Sequence, residues 1–145
     1  MNNAVTIVMI EDDEGHARLI ERNIRRAGVM NEIKHFADGS SSRAYFEHLQ
    51  KAGTRHIPIL VLLDLNLPDA SGIDILEFLK SDSELKLAPV VVLTTTDDQV
   101  EIKRCYDLGC NVYITKPVDY EQFANAIRQL GLFFSVIKVP EPVDA

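Results

Sequence analysis

Four short clusters of chemically capable side chains punctuate the chain: Glu11-Asp12-Asp13, Asp64, Thr94-Thr95-Thr96 and Thr115-Lys116-Pro117. Carboxylates brought within about 4 Å of one another repel by roughly 4 kcal/mol at an effective dielectric near 20. A fold that gathers three of them therefore needs a cation, and hard carboxylate oxygens suit Mg²⁺ best, with Mn²⁺ as a possible substitute. Lys116 would add a fixed positive charge beside them. Such a set supports nucleophilic transfer of a phosphoryl group to a carboxylate, with Asp64 attacking phosphorus in line. The transferring group spreads negative charge over its equatorial oxygens, so the chemistry is mostly positioning and electrostatics. The cation, Lys116 and the Thr94 hydroxyl could each meet one of those oxygens. No general base is required, because a carboxylate is already deprotonated at neutral pH.

Taken singly, each cluster is ordinary. An acid after a strand is often the N-cap of the next helix, and Asp13 reads that way. The force of the pattern lies in the elements that carry the clusters. Val5–Ile10 and Ile59–Leu63 are short apolar runs of the kind found in strands buried on both faces. Pro89–Leu93 and Val112–Ile114 read as further strands, and Asn31–Phe36 as a weaker one. Between them the apolar period changes to that of helices over Glu14–Ala27, Ser40–Ala52, Ile73–Leu79, Asp97–Leu108 and Asp119–Leu130. Gly28 and Gly53 serve as helix terminators.

Strands alternating with helices need crossover connections, hence a parallel sheet covered on both faces. The expected fold is α/β: a three-layer sandwich around a five-stranded parallel sheet, for which the flavodoxin-like order 2-1-3-4-5 is a common doubly wound arrangement and the one expected here. Ligands of such sheets bind beyond the carboxyl ends of the strands, where strand order reverses. Each of the four clusters follows a predicted strand, so all four fall on that one rim.

The bulk composition fits one domain. The 145 residues are 46% hydrophobic and 26% charged, and the net charge is −7. An acidic balance opposes nucleic-acid and anionic-membrane partners, which need a cationic face. Met1–Val5 lacks the basic start and apolar run of an export signal, and no apolar stretch is long enough to span a bilayer. The expectation is a cytoplasmic protein whose two cysteines, Cys105 and Cys110, are small buried hydrophobes rather than a disulfide.

Four motifs now stand in order. "VMIEDDE", "VLLDLNLPDASGIDIL", "PVVVLTTT" and "YITKP" resemble the acidic strand end, phospho-acceptor loop, switch-threonine strand and lysine–proline turn of the two-component response regulator receiver family. The resemblance runs through residue 131 and implies a receiver domain over residues 1–131. It makes Asp64 the phospho-acceptor, Asp12 a direct metal ligand and Glu11 a second acid reaching the metal through water. The Asn66 main-chain carbonyl would be a third protein ligand, Thr94 the switch hydroxyl and Lys116 the phosphate-pairing lysine. Tyr113 matches the aromatic switch position; its alternative reading is an ordinary tyrosine at the surface edge. Glu11 stands where aspartate is common, and Thr95 where Ala, Gly or Ser is more usual. The implied protein is not a turnover enzyme, although it catalyses its own phosphorylation and dephosphorylation.

Residues 132–145 form an apolar arm, too short for an output domain. Phe133, Phe134 and Ile137 could fold back on their own subunit. Alternatively, they could join the helix 4–strand 5–helix 5 face in a homodimer. This arm and the "EHLQKAGTRHIPIL" approach to strand 3 resemble the stand-alone regulators that partner phytochrome-type histidine kinases. Three other readings fit less well. A haloacid-dehalogenase-type hydrolase wants an acid two residues after its nucleophile, where this chain has Asn66, and a cap domain. A flavodoxin-like cofactor carrier wants a Gly/Ser/Thr-rich loop where Glu11-Asp12-Asp13 stands. A pseudo-receiver that never takes phosphate, acting as a protein-interaction module, would keep the fold without needing the full acceptor set.

Overall fold

The apolar runs pair as predicted. In the computed structural model, which describes residues 5–52, 58–126 and 129, five parallel strands lie in the order β2-β1-β3-β4-β5. They are β1 (Thr6–Ile10), β2 (Ile33–Phe36), β3 (Ile59–Leu63), β4 (Val90–Thr94) and β5 (Val112–Thr115). The helices are α1 (Glu14–Arg26), α2 (Gly39–Lys51), α3 (Gly72–Ser81), α4 (Gln99–Leu108) and α5 over residues 120–126, with a 3₁₀ turn at Leu85–Leu87.

Strand periodicity sorts the core into two halves. Val8 and Ile10 face one side with Val61, Leu63, Val90 and Val92, against Phe46 of α2, Leu76 and Leu79 of α3 and Cys105 of α4. Ile7 and Met9 face the other with Leu60, Leu62, Val91 and Leu93, against Ile20 and Ile24 of α1 and Phe123 of α5. Both faces are thus covered, which is why β3 and β4 are buried at every position. Each fully buried Val, Leu or Ile contributes about 1.5–3 kcal/mol. The centre of the sheet is therefore the fixed part of the molecule. β2, at the edge, has no fully buried residue.

Helix starts follow their caps. Asp13 accepts from His16 N–H (2.9 Å), Asp38 from Ser41 N–H (2.8 Å) and Asp98 from Val100 N–H (3.0 Å), each satisfying an orphan donor. Asp98 is itself the cap, so α4 begins at Gln99 rather than at the expected Asp97. β2 starts two residues later than expected because Asn31 is engaged otherwise. Its amide donates to the Val5 carbonyl at 2.7 Å, and its own carbonyl accepts from Arg25 at 2.7 Å. Gly109 closes α4 in the left-handed region at φ 112°, where a side chain would be strained.

Cys105 and Cys110 are free and buried, and burial pushes their thiols up to about 11 and about 12. They are packing groups, as expected. Among the described residues no helix is long and apolar enough to cross a membrane. The arm 132–145 with Phe133, Phe134 and Ile137 lies outside the described residues, as do Gly53, Ile127 and Leu130.

Candidate functional site

Strand register brings the clusters together. Ile10 pairs with Leu63, so the next residues, Glu11 and Asp64, leave the sheet side by side. Thr94 pairs with Thr115, and the Lys116 N–H donates to the Thr94 carbonyl at 2.7 Å. Lys116 then reaches back across the rim. Its ammonium donates to Glu11 Oε1 at 2.6 Å and to Asp64 Oδ2 at 3.0 Å. All three side chains are nearly sealed, at 6% exposed for Lys116, 2% for Glu11 and 7% for Asp64.

Carboxylate oxygens of Glu11, Asp12 and Asp64 lie within 4.8 Å of one another. Three carboxylates face one ammonium, which leaves two negative charges uncompensated, the charge of one divalent cation. Burial raises the Glu11 carboxyl above its ordinary range, and the neighbouring Asp64 charge adds to this against the opposing pull of Lys116. For Lys116 burial works against the charge, yet the hydrogen bonds to Glu11 and Asp64 outweigh it and hold the ammonium above its usual value. An all-oxygen acidic set with spare negative charge fits a hard divalent ion. Asp12 is the exposed member, open to solvent at the mouth.

The acceptor loop is held from several sides. Asp64 Oδ1 accepts from Asn66 N–H at 3.0 Å, Asn66 bridges to Ser71, and the Gly72 N–H donates to the Leu65 carbonyl at 2.9 Å. A Cβ on Gly72 would collide with the Asp64 carbonyl and stand 2.6 Å from Leu65 Cα. Only glycine lets α3 start this close to the acceptor. Asp69, further along the loop, accepts from Gly39 N–H at 2.7 Å and Ser40 N–H at 2.9 Å, tying the loop to the start of α2. Those bonds to backbone N–H groups hold its carboxyl below the usual range.

On the opposite flank, Thr94 is fully buried and its hydroxyl oxygen accepts from the Asn66 side-chain amide at 3.2 Å. Asn66 also reaches the exposed Thr95 hydroxyl at 3.4 Å. Tyr113 is not at a surface edge. It is 9% exposed, and its hydroxyl donates to the Thr96 carbonyl at 2.6 Å, while its own N–H donates to Tyr106 Oη at 3.1 Å. Burial pushes the Tyr113 phenol up to about 12.

Glu11, Asp12, Asp64, Asn66, Thr94 and Lys116 all reach one rim, with Tyr113 behind it. Sequence reasoning overlooked two histidines. His35 Nε2 lies 2.7 Å from the Glu11 carbonyl, and His16 Nδ1 lies 3.0 Å from Lys116 Nζ. The signal for His16 was available: first-turn side chains of a helix lean back towards its N-terminus, which here is the rim.

Fold and site together define a parallel α/β protein with a buried acid–lysine centre at its switch point. The profile of the response regulator receiver domain matches residues 7–128, and the chain belongs to that family. Among curated relatives, the probable methanogenesis regulatory protein FilR2 of Methanothrix harundinacea is 35% identical, covering 86% of this chain and 79% of its own. Response regulator Rcp1 of Synechocystis is 29% identical, covering 92% and 90%. A solved receiver domain from Rhodospirillum rubrum is 68% identical, with a TM-score of 0.78 and coverage of 94% and 98%. The phosphorylated cyanobacterial phytochrome response regulator RcpA is 33% identical, with a TM-score of 0.74 and coverage of 97% and 99%. The Mn²⁺-bound form of Rcp1 is 28% identical at a TM-score of 0.73, covering 96% and 99%. Receiver domains are signalling modules rather than turnover enzymes; they bind a divalent metal at the acidic pocket, interact with histidine kinases and often dimerise.

Proposed function

We propose that this chain takes a phosphoryl group from the phosphohistidine of a histidine kinase onto Asp64 and signals through the resulting change of shape. The observation that carries the reading is the buried contact of Lys116 with both Glu11 and Asp64 inside a three-carboxylate cluster. Glu11, Asp12, Asp64 and the Asn66 main-chain carbonyl would hold Mg²⁺, for which Mn²⁺ can substitute; the Mn²⁺-bound Rcp1 structure supports the substitution. When bound, the ion supplies positive charge against the phosphoryl oxygens and offsets the excess of carboxylates.

An Asp64 carboxylate oxygen attacks phosphorus. The new P–O bond forms as the P–N bond to the donor imidazole breaks, and the electron pair leaves with the imidazole nitrogen. Lys116 pairs with one phosphoryl oxygen, and the Thr94 hydroxyl donates to another. Asn66 uses the Thr94 oxygen as an acceptor, so the Thr94 proton is free for that purpose. In the reverse half of the cycle water attacks phosphorus, the P–O bond to Asp64 breaks, and inorganic phosphate departs. Tyr113 couples this to the β4–α4 loop through its bond to the Thr96 carbonyl. One new charge thereby biases a two-state element. Residues 1–131 form the receiver domain in this reading, and it works in the cytoplasm.

We further propose a phytochrome-type kinase as donor, on the likeness to RcpA. Phosphotransfer profiling tests this: faster labelling by phytochrome-type kinases supports it, and preference for another kinase class rejects it. A homodimer through the α4–β5–α5 face and the arm with Phe133, Phe134 and Ile137 is supported by Val100 and Tyr106, which stand 74% and 47% exposed on α4. Deleting residues 132–145 should shift the sedimenting species towards monomer; an unchanged mass rejects the role of the arm. For the acceptor itself, acetyl phosphate with Mg²⁺ should add one hydroxylamine-sensitive phosphate, and Asp64→Asn should abolish it. A chain that stays unmodified under those conditions is instead a pseudo-receiver.

A further inference from the structure

An ammonium group has three N–H donors and no acceptor. Lys116 spends two of them on Glu11 Oε1 and Asp64 Oδ2. The third points to His16 Nδ1 at 3.0 Å. Because the lysine can only donate, Nδ1 must be the lone-pair nitrogen, and the ring proton sits on Nε2. The lysine head is thus fully satisfied by three groups from three elements. His16 is 46% exposed while Lys116 is 6% exposed, so the imidazole stands at the outer, solvent-facing end of this contact.

The backbone that carries the ring is held in place. His16 is the third residue of α1, and its N–H is bound by the Asp13 cap at 2.9 Å. The ring therefore leans towards the strand ends from a fixed backbone. It also borders a cavity of about 180 Å³ shared with Leu19, Asn23, Lys116 and Pro117. The ring thus borders open space. Among the described residues its hydrogen-bond partner is the ammonium at 3.0 Å, with Glu11 Oε2 further off at 3.8 Å from Nδ1.

Lysine is a flexible stem with a freely rotating head. Of its two carboxylate partners Glu11 is nearer, at 2.6 Å against 3.0 Å for Asp64. With those two alone, the head is free to turn towards Glu11 and to give its remaining N–H to water. A third acceptor outside the carboxylate pair fixes rotation about the Cε–Nζ bond and keeps one N–H aimed at Asp64. We infer that His16 is a positioning residue for phosphoryl transfer: its Nδ1 orients the Lys116 ammonium towards the acceptor. This rests on the reading of Asp64 as the acceptor.

The test uses the full chain with His16→Leu, which removes the acceptor atom, and His16→Asn, whose Oδ1 can occupy nearly the position of Nδ1. In unphosphorylated protein, the Lys116 Nζ proton–nitrogen correlation should be protected in wild type and His16→Asn and broadened by exchange in His16→Leu. Phosphorylation by acetyl phosphate with Mg²⁺ should slow about tenfold in His16→Leu, the scale of one charge-assisted hydrogen bond. His16→Asn should stay within about a factor of two of wild type, because it keeps the acceptor. Wild-type speed in His16→Leu overturns the proposal. So does an Asn variant as slow as the Leu variant, since the acceptor atom would then be irrelevant. If wild type takes no phosphate, the acceptor reading fails, and the protection of the ammonium signal still judges the His16 contact by itself.

Discussion

On one side of Asp64 stands Lys116, its side chain 6% exposed and its ammonium shared among Asp64, Glu11 and His16. On the other stands Thr94, fully buried, whose hydroxyl meets the amide of the exposed Asn66 among the described residues. Ion contacts hold the first flank and a single neutral hydrogen bond the second. Beyond Thr94 the chain runs into the β4–α4 loop, where Thr95 is exposed and the Thr96 carbonyl is gripped by Tyr113. The lysine flank is therefore built to stay, and the threonine flank to move. Under the proposed function, stabilising a phosphoryl group calls for the first and reporting its arrival for the second.

That contrast can be broken by mutation. Lys116→Met should have the largest effect in metal-free buffer, because it leaves Glu11 and Asp64 buried side by side without their ammonium. Removing one partner of a buried pair costs about 3–5 kcal/mol. Chemical denaturation should show this, together with loss of phosphoryl transfer; unchanged stability would mean that the flank is not structural. Thr94→Ala should be milder, at about 1 kcal/mol for one neutral hydrogen bond. It should leave Asp64 able to take phosphate while abolishing the phosphate-dependent shift of Tyr113 resonances. A variant that still moved Tyr113 would remove Thr94 from the switch. Lys103→Ala lies on neither flank. Its pair with Asp107 spans 3.0 Å between side chains 77% and 64% exposed. Exposed pairs contribute about 0–1 kcal/mol, so stability and transfer should both stay near wild type, and a larger loss would show that charge effects here are not confined to the buried rim.

The fold was legible wherever burial is two-sided. Ile59–Leu63 reads as a continuous apolar run because residues of alternate parity enter the two core halves, and its predicted and observed limits coincide. The 3₁₀ turn at Leu85–Leu87 was not legible. It depends on Asp82 accepting from Glu84 N–H and Leu85 N–H, at 2.9 and 2.8 Å, which no periodicity announces. The strand-end residues of the site were legible because parallel register carries strand ends to one rim. Contacts made by residues off the strand ends were not. His16 meets Lys116 across 100 positions and His35 meets Glu11 across 24. The Asn66 side chain bridges Thr94 and Thr95, although the sequence suggested only its main-chain carbonyl. Tyr113 could be read either way until its ring was seen buried.

The central claim is tested most directly by locating the phosphate. Borohydride reduces an acyl phosphate to an alcohol, so treating the acetyl-phosphate-loaded protein and mapping peptides by mass converts the acceptor aspartate into homoserine. Homoserine at position 64 is the predicted result. Homoserine at position 12 or 13, or none in protein whose intact mass shows bound phosphate, would contradict the assignment of Asp64.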